Sequence, residues 1–121
     1  MARLATADGS GAPHVVPVVF ALRDDVVVIA VDHKPKRSTD LKRLRNIEAN
    51  NRVSLLADHY DEDWTQLWWV RADGDARVLT GDARAEPVRW LVAKYPQYTA
   101  LPPDGPVIHI NITAWRGWVG A

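Results

Sequence analysis

The apolar positions of this chain change their spacing several times, and each change marks an element. Ala2 to Ala7 reads as a short strand, and Asp8-Gly9-Ser10-Gly11 has the composition of a tight turn. Pro13 to Leu22 (PHVVPVVFAL) is rich in Val. It breaks at Arg23-Asp24-Asp25 and resumes as Val26 to Val31, a continuous β-branched run. These runs predict an antiparallel meander. Pro17 cannot donate to a strand ladder, so it marks an edge, a bulge or a place where something other than a strand approaches the backbone.

From Thr39 to Asn50 the period lengthens: Leu41, Leu44 and Ile47 recur every three residues, which predicts a short amphipathic helix with Ser38 or Thr39 as its N-cap. Arg52 to Ala57 reads as another strand, Asp58 to Asp63 as an acidic loop, and Leu67 to Val70 with Asp75 to Thr80 as a long strand or hairpin interrupted at Asp73-Gly74. Val88, Leu91, Val92 and Tyr95 form a helical stripe over Glu86 to Tyr95, which Pro96 should end. Val107 to Ile112 (VIHINI) alternates with period two, as a final half-buried strand does. About six strands and two short helices predict a mainly β, α+β fold, a small antiparallel barrel with helices at its edges. No repeat or linker divides the 121 residues, so a single domain over residues 1–121 is expected, with an N-terminal helix missing before the first strand.

Composition narrows the chemistry. Lys plus Arg and Asp plus Glu both number 15, so no overall field favours nucleic acid or an anionic membrane, and any anion site must be local. The absence of cysteine removes thiolate catalysis and Cys-ligated metals, and the four histidines lack zinc-site spacing, so no metal is expected. Apolar runs are only strand-length and no signal peptide opens the chain, which together predict a cytoplasmic protein with no membrane partner.

Two local features stand out. Lys34, Lys36, Arg37, Lys42, Arg43 and Arg45 place six cations within twelve residues, where a strand end opens into a helix. Cations, the Ser38 hydroxyl and free helix N–H groups around one point suit a phosphate; a solvated basic face is the equal alternative from composition alone. The second feature is the set of six tryptophans. Neighbouring Trp68 and Trp69 on a strand point to opposite faces, so that one can fill the core while the other meets an interface or a stacked ring; burial of both against the helices is the equal alternative. No nucleophile elbow, P-loop or dinucleotide fingerprint is present, so any chemistry belongs to a cofactor and no catalytic residue is assigned.

The ordered segments LATADGSGAPHVVPVVFAL, VVVIAVDHKPK, LKRLRNIEANNRVSLL and DHYDEDWTQLWWVRADGDARVL resemble the pyridoxamine 5′-phosphate oxidase-like split-barrel proteins, and within them the actinobacterial branch that uses the deazaflavin coenzyme F420. The resemblance implies a six-stranded split β-barrel of the FMN-binding type with short flanking helices. It also implies a homodimer with cofactor sites at its interface and a small-molecule substrate. It carries the phosphate onto Lys36, Arg37, Ser38, Lys42 and Arg43, and the ring onto the backbone around Pro17 and Val18. A cover from the partner subunit falls on Trp68 or Trp69, with Trp69 the site residue. The implied activity is hydride transfer from reduced coenzyme F420 to a small electrophile. An FMN-dependent oxidase or flavin reductase, or a carrier of the cofactor without turnover, are the alternatives.

Overall fold

The computed structural model describes residues 1–31 and 41–121. Seven strands form one antiparallel sheet: β1 (Ala2–Ala7), β2 (Pro13–Val18), β3 (Ala21–Arg23), β4 (Val26–Ala30), β5 (Arg52–His59), β6 (Trp68–Leu79) and β7 (Val107–Val119). Their order across the sheet is β2-β1-β5-β6-β7-β4-β3. β2 and β3 therefore lie at opposite edges, yet only Val19 and Phe20 separate them in sequence. Three Cα steps span at most about 11 Å, so the sheet must curl until its two edges stand side by side. The result is a barrel that is split rather than hydrogen-bonded shut.

The barrel interior is filled from one face of every long strand: Leu4, Val27, Ile29, Leu55, Ile108 and Ile110 are almost completely buried. Helix α1 (Lys42–Ala49) closes one end of it with Leu44 and Ile47. Its Asn46 donates from Nδ2 to the Thr6 hydroxyl at 3.0 Å, a bond between two side chains that are both buried. A polar pair inside an apolar plug fixes how the helix sits, because breaking it would strand a buried donor or acceptor. Outside the barrel, α2 (Ala85–Lys94) and α3 (Pro96–Ala100) cover β3, β4 and β7 through a second cluster around Leu91, Tyr98, Val28 and Val107. This double cover explains why Val26 to Val31 is apolar without alternation: barrel core lies on one side of it and helices on the other. Among the described residues no helix is long and apolar enough to cross a membrane.

Several expectations change in detail. The run Pro13 to Leu22 is two strands rather than one, because the chain must leave one edge and reach the other at Val19-Phe20. Pro96 ends α2 as predicted but also starts α3, at the helical position where a missing N–H costs nothing. Helix α1 starts at Lys42 with Leu41 in the cap position and no side-chain cap; the expected caps Ser38 and Thr39 lie outside the described residues. Segment 68–79 is one continuous strand, not a hairpin, and the last strand runs on from Ile112 to Val119. Both follow from a bulge: Asp73 pairs with Ala114 and Gly74 with Ile112, leaving Thr113 extra. The bulge resets the alternation, which hides the continuation of the strand from a period-two reading.

Gly74 makes that bulge possible. A Cβ built there would stand 2.2 Å from the Asn111 carbonyl oxygen, with backbone rather than a flexible side chain in the way. Gly74→Ala is expected to lower unfolding free energy by about 3 kcal/mol. Gly9→Ala, where the added Cβ meets only Ala49 at 3.9 Å, should change it by less than about 1 kcal/mol. Urea denaturation of both variants checks this, and equal effects would remove the steric argument.

Candidate functional site

The helices leave one part of the barrel exterior bare, across β2, β1, β5, β6 and the far end of β7. The registers align its side chains in rows. Pro17, Arg3, Leu56, Arg71 and Arg116 form one row, and Val15, Ala5, Ser54, Asp73 and Ala114 the next. Beyond the first row stand Asp58, Trp69 and Trp118. Most charges on this face are paired within it; Arg116, at the end of the first row, is in no ion pair among the described residues and donates to the Trp115 carbonyl at 3.0 Å. Arg3 donates to Asp58 at 2.7 Å, and Arg71 grips Asp73 with Nε at 2.9 Å and Nη2 at 3.1 Å. Ser54 donates its hydroxyl to Asp73 at 2.7 Å. What remains between these pairs is apolar: Val15 is 60% exposed and Trp118 48%.

Two grooves open on this face and share Arg71. One, of about 460 Å³, lies at the tryptophan end and is lined by Leu56, Tyr60, Trp68, Trp69 and Trp118. The other, of about 490 Å³, lies at the end of the β1–β2 turn and is lined by Ala5, Ala7, Pro13, Ser54 and Asp73. Both volumes fall in the range of small-molecule sites. The Asp73 carboxyl that stands between them is held below the usual carboxylate range, first by the Ser54 hydroxyl and then by Arg71.

The residues expected from sequence are distributed over this frame as follows. Pro17 sits on the bare face of β2, an edge strand, where the lost donor is tolerated. The side chain of Val18 points the other way, into the barrel core, so only its backbone faces the edge. Trp69 is on the same face as Pro17, three strand spacings across and two residues along the strand, and so about 16 Å away over the sheet. Lys42 is on the first turn of α1, at the barrel end, with Nζ 3.8 Å from an Asp8 carboxylate oxygen. Arg43 follows it, half-buried. Lys36, Arg37 and Ser38 lie outside the described residues. Pro17 pairs with Arg3 while Lys42 meets Asp8, so the length of β1, about 17 Å, separates the ring position from Lys42.

Lys42 is loosely held there. Asp8 is depressed mainly by the Ser10 hydroxyl and the Ala12 and Ser10 backbone N–H groups, with Lys42 the smallest of the causes. An exposed lysine with so weak a partner can turn to another anion at little cost.

Neither member of the Trp68-Trp69 pair fills the core, contrary to the expectation for one of them. Trp68 does face the interior side, but it pairs with His59 and Val119 where the β5–β6–β7 ribbon runs past the barrel end, and it stays 41% exposed. The sequence reading did not single out Ser54, Arg71, Asp73 or Leu56. The available signal was alternation: on β5 and β6 these residues occupy every second position opposite the buried Val53, Leu55 and Ala72. Among the described residues no three metal-capable side chains converge.

This chain belongs to the pyridoxamine 5′-phosphate oxidase family, matching it over residues 1–119. Solved structures with the same fold include a conserved hypothetical protein of Mycobacterium tuberculosis, at TM-score 0.77 and 19% identity, covering 98% of this chain and 76% of that one. The haem storage protein HutZ of Vibrio cholerae matches at TM-score 0.75 and 16% identity, covering 98% and 84%. A FAD-binding protein of Mesorhizobium loti matches at TM-score 0.68 and 24% identity, covering 96% and 83%. At these identities the likeness establishes the split-barrel fold. No functionally curated protein matches the chain.

Replacing Ser54 by Ala removes the strongest support of the Asp73 carboxylate, so its titration midpoint should rise toward the ordinary value of 3.8. A depressed carboxyl contributes stability above its unfolded-state pKa and loses it as pH falls through the folded-state value. Ser54→Ala should therefore show a shallower loss of stability on acidification than the parent. Carbon-detected NMR of the carboxyl shift checks the midpoint; an unchanged titration would place the cause elsewhere.

Proposed function

We propose that two copies of this chain pack through the bare exterior face and hold a phosphorylated flavin-type cofactor between them, from which a hydride passes to a small electrophilic substrate. The observation that carries this reading is the bare face itself, with apolar side chains around the ion pairs Arg3–Asp58 and Arg71–Asp73 and, among the described residues, a single unpaired cation, Arg116, at its margin. Paired charges are far less costly to bury than single ones, so this face suits contact with another surface. The edge of the sheet is a poorer candidate, since Pro13 and Pro17 on β2 blunt it against strand-to-strand joining.

Pairing through the face also answers the separation described above. A site shared by two copies can take its ring contacts from the Pro17 backbone, a cover from the partner's Trp69, and its phosphate contacts from the cationic segment. Those contacts are Lys36, Arg37, Ser38, Lys42 and Arg43. The bound cofactor would supply the hydride. The chain would bind the phosphate, orient the ring and exclude water between the copies. Membership of the pyridoxamine 5′-phosphate oxidase family supports a phosphorylated planar ligand, and the FAD-binding relative supports the flavin class. Coenzyme F420 is the cofactor we favour on the sequence resemblance, with FMN as the second choice. The two share a phosphorylated ribityl tail.

Titration with each cofactor, followed by quenching of tryptophan fluorescence, tests the assignment. Lys36→Ala combined with Lys42→Ala should weaken binding by at least about 1.5 to 3 kcal/mol, the contribution of one charge-assisted hydrogen bond. Unchanged affinity would remove the phosphate site from this segment. Consumption of the reduced cofactor with a panel of conjugated enones and quinones separates an enzyme from a carrier, which would bind and not turn over.

A further inference from the structure

Beside the seam where the two sheet edges meet, a groove of about 430 Å³ runs between edge strand β3 and the last two turns of α2, lined by Phe20, Leu22, Arg23, Trp90, Ala93 and Lys94. We propose that it binds a small organic carboxylate with an aromatic or aliphatic body. Nothing in the proposed cofactor site uses these residues.

Three observations point to an anion with an apolar body. The first is that both cations are already positioned. Lys94 lies 4.0 Å over the Phe20 ring and donates to the Phe20 carbonyl at 2.6 Å, while the Arg23 guanidinium lies 4.7 Å over the Trp90 ring. Side chains parked on rings lose less freedom when they meet a ligand than free ones do. The second is that the corner carrying Phe20 is locked. The Tyr95 hydroxyl donates to the Phe20 carbonyl at 2.8 Å and accepts from the Phe20 N–H at 3.1 Å, so the ring and its lysine keep their place against α2. The third is that the Trp90 ring itself lines the groove beneath Arg23, so an aryl or alkyl body can lie against an aromatic surface with its carboxylate beside the cation.

The charges around the groove do not cancel. Glu86 stands 4.0 Å from Arg23, a long and exposed contact, and Lys94 faces no carboxylate in any ion pair among the described residues. The groove therefore keeps a net positive charge, while Leu22 and Ala93 offer an apolar wall; Leu22 is 48% exposed. An alkyl or aryl chain against that wall with its carboxylate between Arg23 and Lys94 uses both features.

The test is a titration of the cofactor-free protein, labelled with ¹⁵N, with 4-phenylbutyrate, and in parallel with the neutral 4-phenylbutanol. The six indole N–H signals are followed, with that of Trp90 identified by Trp90→Phe. The Trp90 signal should shift saturably, with the carboxylate binding at least about tenfold tighter than the alcohol. Arg23→Gln, an exposed change that leaves the Lys94 and Tyr95 bonds intact, should weaken the carboxylate by about tenfold while the other indole signals stay in place. An unmoved Trp90 signal, equal binding of the alcohol, or shifts confined to Trp69 and Trp118 would each overturn the proposal. The cofactor plays no part in these readings, so they stand or fall apart from the function proposed above.

Discussion

The whole architecture depends on a short connection. With Val19 and Phe20 alone between strands at opposite edges of a seven-stranded sheet, the chain has no freedom to lie flat. Curling is forced, and it creates an inside that takes Leu4, Ile29, Leu55, Ile108 and Ile110 and an outside that must be covered by something else. Phe20 is accordingly tied down. Its N–H and carbonyl are both engaged by the Tyr95 hydroxyl, and Lys94 adds a second donor to the carbonyl. The junction of the two edges and the anchoring of α2 are thus one set of contacts.

Curling alone does not say which parts of the exterior stay open. Helices α2 and α3 take the β3-β4-β7 side, and α1 takes one barrel end. The bulge at Thr113 lets β6 and β7 continue past the core as a ribbon carrying Trp68, Trp69, Trp115 and Trp118. Trp115 is itself held back to the β3–β4 turn, where its indole N–H donates to Asp25 at 3.1 Å. The ribbon is therefore a consequence of a single glycine at position 74 and a single extra residue opposite it, and the bare face of where the helices pack. The same geometry leaves Trp68, Trp115 and Trp118 exposed in the single chain, and the pairing proposed above would cover Trp69 and Trp118.

Much of the fold was legible in the sequence because burial in a barrel imposes alternation on strands and a three-to-four residue period on helices. The helix stripe from Val88 and the final VIHINI strand follow from that rule, the unbroken run at Val26 follows from cover on both faces, and the edge role of Pro17 follows from its missing N–H. Two kinds of feature escaped it. The split of Pro13 to Leu22 and the length of the last strand depend on where the chain crosses and where a bulge resets the register, and both are set by partners distant in sequence. The candidate site was legible as residue types, a cationic segment and an excess of tryptophan, but not as a place. The ion pairs Arg71–Asp73 and Arg3–Asp58 join residues whose shared face appears only once the strands are aligned. Only the family resemblance linked Pro17 to Trp69 and both to Lys42, and within one chain they remain apart.

That separation makes shared occupancy the central claim, and sedimentation velocity tests it most directly, with the cofactor followed at its own visible absorbance and the protein at 280 nm. Two chains of 13.5 kDa should sediment as one species of about 27 kDa, and the cofactor absorbance should move with that boundary. Cofactor travelling with a single 13.5 kDa chain, or left behind while the dimer sediments, would contradict a site built between two copies.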